Sequence, residues 1–180
     1  MGCNSANYHT FKMPNWCQNA LVITGDVEAF SKWLNGEPFT LNKIKPMPPE
    51  YKNGESGEWY DWAVTNWGTK WDIEAEIEPS DIEGDNSAYS VFESAWAPPS
   101  AAIRALSELL PTVTFKLSFL EAGVGFCGCE IYQNGQVSEE FYPRPSVEGW
   151  REFAAREFDW KPYDEEEDVK NVERQKAQTA

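Results

Sequence analysis

Few residues in this chain could bind a metal or act as a nucleophile. Cys127-Gly128-Cys129 is a Cys-x-Cys pair, and in a strand its thiols share one face; Cys17 and Cys3 are the other thiols. A structural zinc wants four ligands, so the fourth has to come from Cys3, His9 or a carboxylate. The competing reading is two small buried thiols, and the expectation is no metal, no cofactor and no disulfide. His9 is the one histidine in the chain, so a Ser-His-Asp or Cys-His arrangement would have to be built on it, within a polar N-terminal stretch. Gly123-Val124-Gly125 lacks the following helix and the lysine of a phosphate loop. The chain is therefore expected not to be an enzyme.

Two other groupings are richer. From Asp72 to Glu93 there are eight acids and no base. Asp72, Glu74, Glu76 and Glu78 alternate with Trp71, Ile73, Ala75 and Ile77, which predicts a half-buried strand with one acidic face. Asp81, Glu83 and Asp85 extend the acidic surface into the next turn. Same-face residues of a strand lie about 6.6 Å apart, close to two nucleotide rises of about 3.4 Å, so such a row can imitate a phosphate backbone. It can equally be a solvated face that guards a sheet edge. The second grouping is Trp59, Tyr60, Trp62, Trp67 and Trp71, in a chain with nine tryptophans. These rings could stack on a flat ligand such as a nucleotide signal, anchor a protein partner, or fold over a sheet as core.

A net charge of −15 disfavours direct binding of nucleic acid and of anionic membranes, because both rely on Lys and Arg. A host protein with a basic surface is the complementary partner, although acidity for solubility alone explains the same number. The chain shows no signal peptide and no long apolar span, so a cytoplasmic protein is expected.

The elements that must position these residues follow from periodicity. Trp16 to Thr24 reads as a strand. Asp26 caps a helix carrying Phe30, Trp33 and Leu34, with Gly36 past its end. Residues 37–70 read as an aromatic-rich insertion containing a short helix from Glu58 to Trp67, stopped by Gly68. Strands follow at Trp71 to Glu78 and Ser87 to Trp96. Pro98 and Pro99 start a helix with a stripe of Ile103, Leu106, Leu109 and Leu110, and Val113 to Leu120 is a strand. Strand–helix–strand–strand–helix–strand is the split βαβ order of ferredoxin-like folds. The predicted class is α+β, an antiparallel sheet with its helices on one face. Asn134-Gly135 adds a C-terminal hairpin through a type I′ turn, and Val147 to Phe158 a terminal helix. Residues 1–12 are expected to be a disordered leader, 13–160 a single domain, and 161–180 an acidic and polar tail.

Several motifs match one family in order. They are Met13-Pro14-Asn15-Trp16-Cys17-Gln18-Asn19, Pro46-Met47-Pro48, Trp59-Tyr60-Asp61-Trp62, Asn66-Trp67-Gly68-Thr69-Lys70-Trp71 and Ser94-Ala95-Trp96-Ala97-Pro98-Pro99. From about Met13 to Tyr142 the chain resembles a family of phage- and plasmid-borne proteins of unknown function with a ferredoxin-like domain. The resemblance implies that fold and a mobile-element setting, and no established reaction. With the charge, it leads to the expectation of an accessory protein that binds and inhibits a host nucleic-acid-handling or defence protein. The rival readings are a nucleotide-sequestering protein and a nucleic-acid-binding ferredoxin-like module.

Overall fold

Cys17, Asn19, Leu21 and Ile23 alternate with Trp16, Gln18, Ala20 and Val22, and the first set is fully buried. This parity makes Trp16–Gly25 a strand, β1, at the centre of a six-stranded antiparallel sheet. The computed structural model describes residues 15–51, 57–82, 84–142 and 147–158. After β1 come α1 (Val27–Leu34), α2 (Leu41–Ile44), a single 3-10 turn (Pro49–Tyr51) and α3 (Glu58–Trp67). Then follow β2 (Glu78–Pro79), β3 (Ala88–Ala95), α4 (Ser100–Leu109), β4 (Val113–Glu121), β5 (Phe126–Gln133), β6 (Gln136–Phe141) and α5 (Val147–Phe158).

The strand order is β2-β3-β1-β4-β5-β6, with β1 antiparallel to both β3 and β4. Its first four strands have the split βαβ order of ferredoxin-like folds, and β5 and β6 extend the sheet beyond β4. Phe30 of α1 meets Phe115 of β4 with ring centroids 6.0 Å apart. Ser100 at the start of α4 donates to Glu130, which lies opposite Leu117 in the β4–β5 ladder. Phe115 and Leu117 share one side of β4, so α1 and α4 cover the same face, as expected.

Local signals explain most boundaries. Asp26 accepts the Ala29 amide at 3.1 Å and caps α1. Asn134 and Gly135 take φ of 50° and 72°, the type I′ turn the dipeptide favours. That turn is held from α4, by Arg104 donating to the Gly135 carbonyl and by the Gly135 amide donating to Ser107 Oγ. Within α4, Ile103 and Leu106 are buried as expected, but Leu109 is 56 % exposed and Ala102 takes its place in the stripe.

The acidic segment is a correction. Ile73 and Ala75 are buried and Glu74 and Glu76 exposed, so the parity holds there, but Trp71, read on the same apolar face, is exposed and Ile77 only half-buried. Only Glu78–Pro79 is strand, however, and Ala75 pairs backbone with Phe39 of the insertion in a single bridge. Phe39 occupies the place where a ladder would have run.

The chain divides into two compact units, Met1–Tyr142 and Pro143–Ala180. Within the second, α5 covers the predicted helix, and Phe153 and Phe158 lie 6.4 Å apart. The predicted leader and tail lie outside the described residues, as do Cys3, His9 and Glu83. Among the described residues no helix is long and apolar enough to cross a membrane.

Candidate functional site

Three of the sequence motifs converge at one end of the β1–β3 pair. Trp16 and Cys17 lie opposite Ala95 and Ser94. Asn19 is fully buried, and its amide donates to the Cys17 carbonyl and to Ser94 Oγ, each at 2.8 Å. Ser94 passes its own hydroxyl proton to the Ala97 carbonyl at 2.7 Å. A buried amide must be bonded to be tolerated, so this chain of bonds fixes the strand register. The third motif docks from α3. Thr69 donates to the Ala95 carbonyl at 2.7 Å, and Gly68 (φ +90°) packs so near α4 that a Cβ would lie 3.0 Å from the Pro98 carbonyl.

The convergence pushes large rings into solvent. Trp16, Trp71 and Trp96 are 42, 39 and 43 % exposed. Trp16 and Trp71 have centroids 6.0 Å apart, and Trp96 and half-buried Tyr60 5.9 Å apart. Between the two pairs sits Lys70, its Nζ 4.6 Å from the Trp71 ring and 4.4 Å from the Trp96 ring. Trp96 has φ of 74°, a left-handed conformation rare for a bulky residue, and its amide is held by the Asn15 carbonyl at 2.9 Å. The result is an aromatic arc, Trp16–Trp71–Lys70–Trp96–Tyr60.

The expected aromatic residues divide between this arc and the interior. Tyr60 belongs to the arc, and Trp59 reaches it edge-on through Tyr60 at 6.0 Å. Trp67 is a correction: it is 3 % exposed, and its indole nitrogen donates to the Lys45 carbonyl at 2.9 Å. Half-buried Trp62 packs T-shaped on Trp67 at 5.3 Å. Trp71 stood among the aromatic residues read from sequence, whereas Trp16, Trp96 and Lys70 were not picked out as site residues. A signal for Trp16 was present, since it has the opposite parity to Cys17, Leu21 and Ile23.

The acids divide in the same way. The Asp72 carboxylate accepts the Leu41, Asn42 and Ile73 amides at 2.7, 3.1 and 2.9 Å, so from across the chain it supplements the Thr40 cap of α2, whose hydroxyl accepts the Lys43 amide. Asp85 accepts the Ser87 and Ser80 hydroxyls, which hold its carboxyl below the usual range, and closes the turn before β3. Glu78 accepts the Tyr89 hydroxyl at 2.8 Å, which raises the Tyr89 pKa. Glu74, Glu76 and Asp81 are exposed, and their carboxylates make no hydrogen bond or ion pair with any described residue; the Glu76 carbonyl accepts the Ser90 hydroxyl at 2.6 Å. Because residues 72–77 form no ladder, an even phosphate-like pitch along them is not built into the sheet.

The remaining reactive groups are satisfied or shielded. Cys17 is on the helix-covered face, whereas Cys127 and Cys129 point to the other face opposite Leu120 and Ser118. Burial pushes the Cys17 thiol up to about 12 and the Cys127 thiol upward as well, so both are poor nucleophiles. Among the described residues no group of three or more His, Cys, Asp or Glu could hold a metal ion. Glu130 accepts hydroxyl protons from Ser100, Tyr132 and Tyr142; burial first, and then this carboxylate, raises both tyrosine pKa values. Glu121 accepts the Gly123 and Val124 amides and holds the β4–β5 turn.

Compared with known proteins, residues 66–173 match a family described as "Ferredoxin-like domain in Api92-like protein". A crystal structure of protein api92 from Yersinia pseudotuberculosis is 17 % identical with a TM-score of 0.47, covering 57 % of this chain and 38 % of that one. The chain thus spans well under half the length of that protein. No curated protein matches it.

Proposed function

The chain belongs to the family of ferredoxin-like domains in Api92-like proteins, and on that premise we propose that it is a binding protein that docks a basic host protein through its aromatic arc. The observation that carries this reading is the exposure of Trp16, Trp71 and Trp96, each about two-fifths open to solvent, on a rigidly registered sheet end. Aromatic side chains exposed on fixed backbone are what interface hot spots are made of, because little entropy is lost on docking. The free carboxylates of Glu74 and Glu76 follow Trp71 in sequence, and the net charge of −15 selects a basic partner. The phage or plasmid setting rests on the resemblance of the tryptophan motifs alone. In that setting the partner is a host nucleic-acid-handling or defence protein, blocked on the surface that normally holds nucleic acid. Here the arc anchors, and the acids steer the encounter, so no evenly spaced phosphate mimic is required.

The test starts from tagged protein in bacterial lysate, compared with Trp71→Ala/Trp96→Ala and with Glu74→Gln/Glu76→Gln/Glu78→Gln. A protein captured by the parent and lost to the tryptophan variant is then purified, and its affinity measured directly. The tryptophan variant is expected to bind more weakly by about 2 kcal/mol or more. The glutamine variant should associate more slowly, with a flatter salt dependence. Equal binding by parent and tryptophan variant removes the arc from the interface.

A nucleotide-binding reading draws on the same Trp71–Lys70–Trp96 geometry, since indoles stack on bases and an ammonium contacts phosphate. Nucleotide binding by the parent, lost in Trp71→Ala, is the outcome that favours it.

A further inference from the structure

Lys70 is the anomaly of the arc. Acids outnumber bases two to one in this chain, yet Lys70 makes no ion pair with any described residue. It rests on two indoles instead, 4.6 and 4.4 Å from their centroids, and is half-buried. Two ring faces aimed at one cation form an aromatic cation site, and the chain fills that site with its own side chain. Trp16 and Tyr60 extend the walls on either side.

We propose that the Trp71–Trp96 site is a receptor for an arginine side chain of the partner, and that Lys70 occupies it until the partner arrives. This rests on the docking role of the arc and names what the arc reads. Three features favour an incoming cation, and the first singles out a guanidinium. It is planar and stacks flat on an indole, and it is less strongly hydrated than an ammonium, so it gives up less water on entering. Lys70 has a flexible four-carbon stem and can carry its charge back into solvent without moving the backbone. The surrounding excess of carboxylate favours any incoming cation over a neutral group. The internal lysine also sets specificity. With Lys70 in place the indoles are already covered by a cation, and an apolar group gains little by displacing it.

The probe is the tripeptide acetyl-Gly-Arg-Gly-amide, with its citrulline counterpart as a neutral isostere, titrated into the full chain while the indole N–H resonances of Trp71 and Trp96 are followed by NMR. The expected result is that the arginine peptide shifts both resonances and the citrulline peptide shifts neither. Lys70→Gln empties the site and should tighten arginine binding by about threefold or more. Trp71→Ala and Trp96→Ala should each abolish the response of the remaining indole, and an unchanged amide spectrum elsewhere shows that each variant is folded. Equal shifts from the citrulline peptide, or no gain in Lys70→Gln, overturn the proposal. A lysine peptide that binds as tightly as the arginine peptide overturns the choice of guanidinium. Partner capture that depends on Trp71 and Trp96 without arginine binding sinks the receptor and leaves the docking surface standing. Arginine binding without tryptophan-dependent capture does the reverse.

Discussion

Trp67 and Trp71 are four residues apart and have opposite fates. Trp67 ends α3 in the interior, with its indole nitrogen bonded to a backbone carbonyl of the insertion. Trp71 lies beyond the Gly68 turn, open to solvent, with a lysine on its face. The same division separates Cys17 from Trp16 along β1, and Asp72 from Glu74 along the acidic run. In each pair one residue stabilises the chain and its near neighbour is free for something else. Residue type does not decide which; along β1 parity does, and in the other two pairs the bonds a side chain makes do.

The largest expected effect tests the tryptophan pair. Trp67→Ala leaves a cavity and an orphaned Lys45 carbonyl, and should lower unfolding free energy by about 3–5 kcal/mol in a denaturant titration. Trp71→Ala removes a ring with water on one side and should stay within about 1 kcal/mol of the parent. Similar losses in both would show that the arc is a second core.

The Cys17 and Trp16 pair gives a pH signature. Cys17 has an ordinary thiol value of 9.0 that burial raises to about 12 in the folded chain. The neutral thiol is the form the fold prefers, so its full contribution is present below pH 9. Above that, the unfolded chain loses its proton first, and stability falls as pH rises from 9 toward 12. Tyr132 and Tyr142, also raised, add to the same alkaline loss. Cys17→Ala should lose less stability than the parent between pH 8 and 11 in thermal melts referenced to each protein's own value at pH 7. Parallel curves would mean that the thiol is not held neutral by the fold.

The smallest effect belongs to the acids. Asp72→Ala removes the acceptor of the Leu41, Asn42 and Ile73 amides while the Thr40 cap of α2 stays, and should cost about 0.5–2 kcal/mol. Glu74→Ala should change stability by less than about 0.5 kcal/mol. Equal values would place Glu74 in the framework.

The sheet was legible in sequence because strand parity and turn chemistry act locally. Asn134-Gly135, the Asp26 cap and the Val113–Leu120 strand each stand in the structure where they were read, although β4 is buried on both faces from Leu117 onward. Alternation from Trp71 to Ile77 reported the burial of Ile73 and Ala75 but not the exposure of Trp71, and it carries no information about what the backbone bonds to. Phe39, more than thirty residues earlier, supplies that partner. The arc was hidden for a similar reason. Its rings come from β1, α3, the segment after Gly68 and the end of β3, and a lysine lying over two indoles has no sequence period. Spacing within 59–67 marked the aromatic segment and could not separate core Trp67 from Tyr60 at the surface.

The pairing of Trp16 with Ala95 and of Cys17 with Glu121 also sets when the arc can exist. Closing loops of that length is slow, and the last contact needed to seat β1 lies far along the chain. While the chain is being synthesised, Trp16, Tyr60 and Trp71 emerge well before β4 is available to order the strand beside them. The ring cluster can therefore assemble only once the chain has been made through β4, so the strand order sets a minimum length of chain below which the arc has no fixed backbone.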